Sequence, residues 1–246
     1  MRSMMRRLAV GFALVLLATS CSQEPEQSME IADPSDTIEG NVVSMDANVQ
    51  GIEIVKADGD DSGESGHFHV FIDREPVDVG EVIPREAGVV HTADNPIVLY
   101  GLSVGDHEVT VVMGDGTHTR FGEELLETVS FEIEGPSVDA TAPATIEEGD
   151  DVTIGLEAEG VEIIAADGER SDESGHFHVL VDPEEAPAAG EVIPAPEENK
   201  VIHSAEDEVI VSGLDAGQHV LWVVLGDGQH YAYDPPVMDK LTVTVE

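Results

Sequence analysis

Ten histidines carry most of the chemistry this sequence can offer, and they fall in two matched sets of five. The first set is His67, His69, His91, His107 and His118; the second is His176, His178, His203, His219 and His230. Each set contains a pair one residue apart, inside the pentapeptide GHFHV that occurs at Gly66–Val70 and again at Gly175–Val179. In a strand such a pair projects from one face with a spacing of about 6.6 Å, leaving Phe68, Val70 and Ile72 for the opposite face. Two imidazoles so placed can converge on one cation at about 2.0–2.1 Å, but two ligands alone make a weak site. The other three histidines of each set lie near strand ends or turns and could complete it, so all ten are candidate ligands. Imidazoles without thiolate suit copper or zinc, with Ni(II) admitted by the same donors. The competing role is structural. His107 and His219 follow a G-x turn, where a histidine commonly packs and hydrogen-bonds to the chain. Neutral imidazole is the ligand form, and the acidic surroundings are expected to favour protonation, so that affinity falls as pH drops through about 6.5.

Other chemistry has little support. Asp58, Asp60, Asp61 and Glu64 form an acidic loop, but the spacing is not that of an EF-hand and the second copy places Arg170 inside it, which disfavours calcium. Neither a G-x-S-x-G elbow nor a phosphate-binding loop is present, and acids are too abundant for any carboxylate pair to mean a hydrolase. No catalysis is expected.

An internal repeat positions the histidines. GIEIVKADGDDSGESGHFH (residues 51–69) lies over GVEIIAADGERSDESGHFH (160–178), and GLSVGDHEVTVVMGDGTH (101–118) over GLDAGQHVLWVVLGDGQH (213–230). The hydrophobic period is two: Val43, Met45, Ala47 and Val49 alternate with polar residues, as do Val152, Ile154, Leu156 and Ala158. Gly, Asp and Pro clusters cut the chain at short intervals, and no window makes an amphipathic helix. The expected fold is therefore all-β, with two tandem immunoglobulin-like β-sandwich domains at residues 38–135 and 147–246. A Pro-containing linker is expected at 136–146.

Residues 1–20 read as an export signal, with Arg2, Arg6 and Arg7 before the apolar run LAVGFALVLLA. ATSC, ending at Cys21, resembles a bacterial lipobox, so Cys21 is the expected lipidation site and residues 21–37 a disordered tether. Ser22 follows in place of the Asp that resembles an inner-membrane retention signal. The expected location is the outer membrane, facing the periplasm or the surface. Cys21 is the one cysteine, so no intramolecular disulfide can form. Cleavage would leave 7 bases against 52 acids, a formal charge of -45. That charge excludes nucleic acid as a partner. Its self-repulsion needs screening, which suggests a halophilic setting, where the Debye length falls to about 3 Å at 1 M salt. A calcium-loaded or cation-attracting surface is the alternative.

Each copy also resembles a family of bacterial exported domains of unknown function. Members carry a G-H-H-H strand ending in Asp, a later G-x-H turn, a D-x-x-H and a D-P-P near the last strand. The counterparts are Gly66–Asp73, Gly105–His107 and Asp115–His118, then Gly175–Asp182, Gly217–His219, Asp227–His230 and Asp234–Pro236. Phe68 and Phe177 replace the middle histidine, and the first copy has GEE in place of DPP, which suggests that the copies are not equivalent. GHFHV is also similar to the copper strand of copper–zinc superoxide dismutases, an enzyme excluded by the later histidine spacings and the absent disulfide. The expectation that results is an envelope lipoprotein binding copper or zinc for sequestration or delivery, its protein partner unspecified. The alternative is a structural or interaction module whose histidines pin turns and strand ends, and a redox or hydrolytic metalloenzyme comes third.

Overall fold

The computed structural model describes residues 27–35, 37–197 and 200–246; the signal segment and Cys21 lie outside them. The described chain is all-β, and it contains no helix long and apolar enough to cross a membrane. The first domain holds β1 (Ser28–Ile31), β2 (Thr37–Glu39), β3 (Val43–Met45), β4 (Ala47–Gln50) and β5 (Glu53–Ile54). It continues with β6 (Ser65–Ile72), β7 (Val89–Thr92), β8 (Ile97–Leu99), β9 (Gly105–Gly114) and β10 (Leu126–Glu134). The second holds β11 (Ser137–Thr141), β12 (Thr145–Ile146), β13 (Val152–Glu159), β14 (Glu162–Ile163) and β15 (Ser174–Val181). β16 (Val201–Ser204), β17 (Glu208–Val211), β18 (Gly217–Gly226) and β19 (Met238–Val245) complete it.

Both domains use one plan. The larger sheet of the first runs β2-β10-β9-β6-β5 with β7 also on β6, and that of the second runs β12-β19-β18-β15-β14 with β16 also on β15. Against it lies a smaller layer, β1-β4 and β3-β8 in the first domain and β11-β13-β17 in the second. Period-two patterning explains the packing. β10 buries Val129, Phe131 and Ile133 and exposes Ser130, Glu132 and Glu134, so its apolar face meets Met29, Ile31, Val43, Met45, Ile97 and Leu99 of the smaller layer. Each such fully buried side chain contributes roughly 1.5–3 kcal/mol.

β6 and β15 are buried on both faces. Phe68 and Val70 join the core between the layers, while His67, His69 and Phe71 point the other way. That outer face is covered by the loop over residues 77–88, whose Ile83 packs on Phe71 and Val112. Backbone bonds stitch the loop down, from Ile83 N to His118 O and from Arg120 N to Glu81 O, and Ile193 N to His230 O repeats the first. The histidines thus lie beneath a third layer that the strand pattern alone does not reveal.

Two expected spacers are strands. Residues 28–31, placed in the tether, form β1 and bury Met29 and Ile31 against β4. Residues 137–141, placed in the linker, form β11 and bury Val138 and Ala140 against β13. In both, two apolar residues alternate with polar ones, a signal short enough to be masked by the neighbouring Pro and Gly. β11 also helps dock the domains. Asn41, fully buried, donates to Val138 O at 2.8 Å and accepts from Met238 N at 2.9 Å. Nearby, Tyr100 meets Trp222 edge-on at 4.8 Å between centroids.

Candidate metal centre

β6 supplies His67 and His69, β7 supplies His91, and the turn after β9 supplies His118. The antiparallel register sets His69 directly opposite His91, so the two project to one side as a cross-strand pair. Ring centroids lie 4.4 Å apart for His67–His69 and for His69–His91, and 4.9 Å apart for His67–His118. In the second domain His178 lies opposite His203, and His176, His178, His203 and His230 make the same cluster. In each cluster one ligand nitrogen from every histidine lies within 4.8 Å of the others, so two four-histidine groups could hold a metal ion.

Glycines make the room. A Cβ on Gly114 would fall 2.1 Å from His69 Cε1, and one on Gly226 would fall 2.6 Å from His178 Cε1. A Cβ on Gly66 would meet Gly114 O at 2.6 Å, so the glycine of GHFH and the first glycine of GDG pack backbone to backbone. The fourth histidine of each cluster is held by a strained turn. His118 and His230 both have φ 65°, a left-handed conformation uncommon for a residue with a side chain. Asp115 stabilises that turn, its Oδ1 accepting from Thr117 N and Thr119 N, and Asp227 accepts likewise from Gln229 N and Tyr231 N.

Eight of the clustered ring nitrogens are buried without a protein partner, while His178 Nδ1 donates to Val224 O at 3.3 Å. Both ring nitrogens of His67, His69 and His176 are buried without a hydrogen bond, as are Nδ1 of His91 and Nε2 of His178. His91 Nε2 donates to Pro84 O at 3.0 Å and His203 Nε2 to Pro194 O at 3.0 Å. Such a carbonyl fixes the tautomer of a ligating histidine and leaves Nδ1 free to accept a metal. Burial pushes His69 and His178 down to about 2, helped by the adjacent His67 and His176. His67 and His176 are pushed down to about 4, by burial first and then by His118 and His230 respectively. Burial also lowers His91, His118 and His203. The expectation that the acidic surroundings would favour protonation is therefore overturned, because burial, helped by the neighbouring imidazoles, outweighs carboxylates such as Asp115 and Asp227.

Of the ten candidate ligands, His107 and His219 stand apart from these clusters. His107 Nδ1 bonds Asp73 Oδ2 at 2.7 Å and its Nε2 bonds Ser103 O at 2.8 Å. His219 makes the same pair of bonds to Asp182 and Asp215. Both partners are acceptors, so each ring pins a turn and has both of its nitrogens engaged. The Asp215 carbonyl, followed by the Asp182 carboxylate, raises the pKa of His219.

Family models agree with the repeat. The family described as "Domain of unknown function (DUF4399)" matches residues 45–134 and again 152–246. The chain belongs to this family. No curated protein matches the sequence. Among solved structures, a Salmonella alpha-2-macroglobulin variant is 14% identical with a TM-score of 0.27, over 89% of this chain and 14% of that one. An Escherichia coli alpha-2-macroglobulin is 12% identical with a TM-score of 0.25, over 90% of this chain and 23% of that one. A Corynebacterium diphtheriae chain is 16% identical with a TM-score of 0.27, over 89% of this chain and 53% of that one. At such low TM-scores, none of the three bears on the site.

Sequence reasoning missed the parts that shape the site from outside the histidine list: Gly114, the Pro84 carbonyl, Ile83 and Arg85. A signal for the loop was available. EVIP occurs at residues 81–84 and again at 191–194, a letter-for-letter match like that of GHFHV.

Proposed function

We propose that this family member is a cell-envelope lipoprotein that binds copper or zinc in two four-histidine centres and sequesters or delivers it without catalysis. The observation that carries the reading is the convergence of four imidazoles per domain with buried nitrogens that no protein group satisfies. A buried polar group left unpaired costs roughly 1–3 kcal/mol, and a cation bound by the lone pairs offsets that cost. Neutral imidazoles are the form that coordinates, and burial keeps these neutral well below the ordinary histidine range. Four protein ligands would fill a tetrahedral shell and leave no open position for a substrate, which favours holding an ion over reacting on it. Copper and zinc both accept such a donor set.

The envelope assignment rests on the export signal and on ATSC before Cys21, with the lipid as the membrane contact. Replacing Cys21 with alanine should shift the protein from the membrane fraction to a soluble exported one; unchanged partition removes the anchor. For the metal, calorimetric titration of untagged protein with Zn(II) and Cu(II) should reveal two sites. Neither ion bound more tightly than about 10 μM, or a variant lacking His67, His69, His176 and His178 that binds as well as the parent, overturns the reading. The structural-module alternative is favoured by one observation only, the turn-pinning bonds of His107 and His219.

A further inference from the structure

The two centres differ at their rims. Arg85 follows Pro84, the residue whose carbonyl orients His91, while Ala195 follows the matching Pro194. The Arg85 side chain places Nη2 2.9 Å from Nε2 of His118. A guanidinium only donates, so Nε2 of His118 must accept, and the single proton of a neutral imidazole then sits on Nδ1. Neither nitrogen keeps a free lone pair. A metal at Nε2 has to replace Arg85, and a metal at Nδ1 drives the proton to Nε2, where an N–H would face the guanidinium N–H. Metal binding at His118 and the Arg85 hydrogen bond are incompatible on either nitrogen, and Arg85 also sets a permanent positive charge beside an incoming cation.

The second centre has no counterpart. Among the described residues, no hydrogen bond reaches the ring of His230, which is left to its three imidazole neighbours. Arginine does occur nearby, since Arg170 replaces the acidic Asp61 of the first copy, but its Nε bonds Asp227 Oδ2 at 3.0 Å. Its guanidinium lies 4.0 Å above the ring of Tyr231, the residue that replaces Thr119. That charge is neutralised by a carboxylate and stacked on an aromatic ring.

We infer that Arg85 is a built-in competitor of the metal for His118, making the first centre the weaker, exchangeable one and the second the tighter, retaining one. The inference rests on the metal-binding reading. It deepens that reading, because one chain would then combine a centre suited to handing metal over with one suited to keeping it. A hydrogen bond to a charged group corresponds to about a tenfold to hundredfold difference in affinity.

The test uses the whole chain. His176→Ala with His178→Ala leaves the first centre, and His67→Ala with His69→Ala leaves the second; each is titrated with zinc against a chelator of known affinity. The first centre should bind about tenfold to a hundredfold more weakly. Arg85→Met should close the gap, and Ala195→Arg should weaken the second centre. Where a double variant fails a thermal-unfolding check, Arg85→Met in the otherwise intact chain substitutes for it, turning a two-affinity binding curve into one with a single affinity. Equal centres that ignore Arg85→Met overturn the inference while leaving metal binding intact. An intact chain that binds no zinc or copper overturns both. A readout that needs no metal is the nitrogen-15 shift pattern of His118. It should report the Nδ1–H tautomer in the parent and change in Arg85→Met, and an Nε2–H tautomer in the parent overturns the inference.

Discussion

His69 and His91 stand directly opposite each other on β6 and β7, with ring centroids 4.4 Å apart, and His178 and His203 repeat the pairing at 4.3 Å. Strand register fixes this pair, so three of the four imidazoles in each centre come from rigid, hydrogen-bonded elements and only the fourth from a turn. A site built on strands holds its geometry better than one built on loops.

His91→Ala removes the cross-strand partner while leaving the H-x-H pair in place. If the cross-strand histidine is a ligand, zinc affinity of the first centre should fall by more than the roughly 10–100-fold that an outer-shell partner is worth. Titration of the chain carrying His91→Ala, with the second centre as internal reference, checks it. An unchanged first centre would make His91 a bystander.

Gly114→Ala tests the space that the cluster needs. Its new methyl would lie 2.1 Å from His69 Cε1, with Ile83 also close, so the ring must swing away or the strands must part. Overpacking of this kind costs about 1–3 kcal/mol. The variant should unfold at lower temperature and bind zinc more weakly at the first centre only, and Gly226→Ala should do the same at the second.

These contacts show what the sequence could and could not reveal. Alternation in β10 and β13, the shared face of His67 and His69, and the duplication itself are local patterns, legible residue by residue. β1 and β11 were missed because two apolar residues each, Met29 with Ile31 and Val138 with Ala140, make too brief a period beside Pro and Gly. The division of the histidines was hidden for another reason. His118 and His107 both follow turn signals, and only the third dimension puts one over β6 and the other beside Asp73. Basicity was misjudged for the same reason, since the loop carrying Ile83 removes water from rings that the local sequence surrounds with acids.

Salt should stabilise both domains. The exported chain would carry 52 acids and 7 bases, and exposed ion pairs such as Arg74–Glu86 and Lys200–Glu197 offset little of that. Thermal unfolding midpoints should rise as potassium chloride approaches about 1 M, because screening shortens the reach of the repulsion to about 3 Å. A parallel series in millimolar calcium separates screening from specific binding. A midpoint indifferent to potassium chloride would show that repulsion does not limit stability.

Acidification should destabilise the metal-free protein before it protonates the folded centres. In the unfolded chain His67 and His69 return to the ordinary value of 6.5, whereas in the folded chain they are held at about 4 and about 2. Between pH 6.5 and about 4 the unfolded state therefore binds protons that the folded state refuses, so stability falls with falling pH. Each buried imidazole contributes a slope of about 1.4 kcal/mol per pH unit once well below 6.5. His176 and His178 add the same in the second domain. His219 acts oppositely, since its raised value gives stability that is fully present below 6.5 and is lost as pH rises through the folded value. Denaturant unfolding of the metal-free chain should thus lose stability steeply from about pH 6.5 to about pH 5, and His67→Gln with His69→Gln should flatten that slope in the first domain. A slope unchanged in the variant would mean that these rings are not buried as neutral groups.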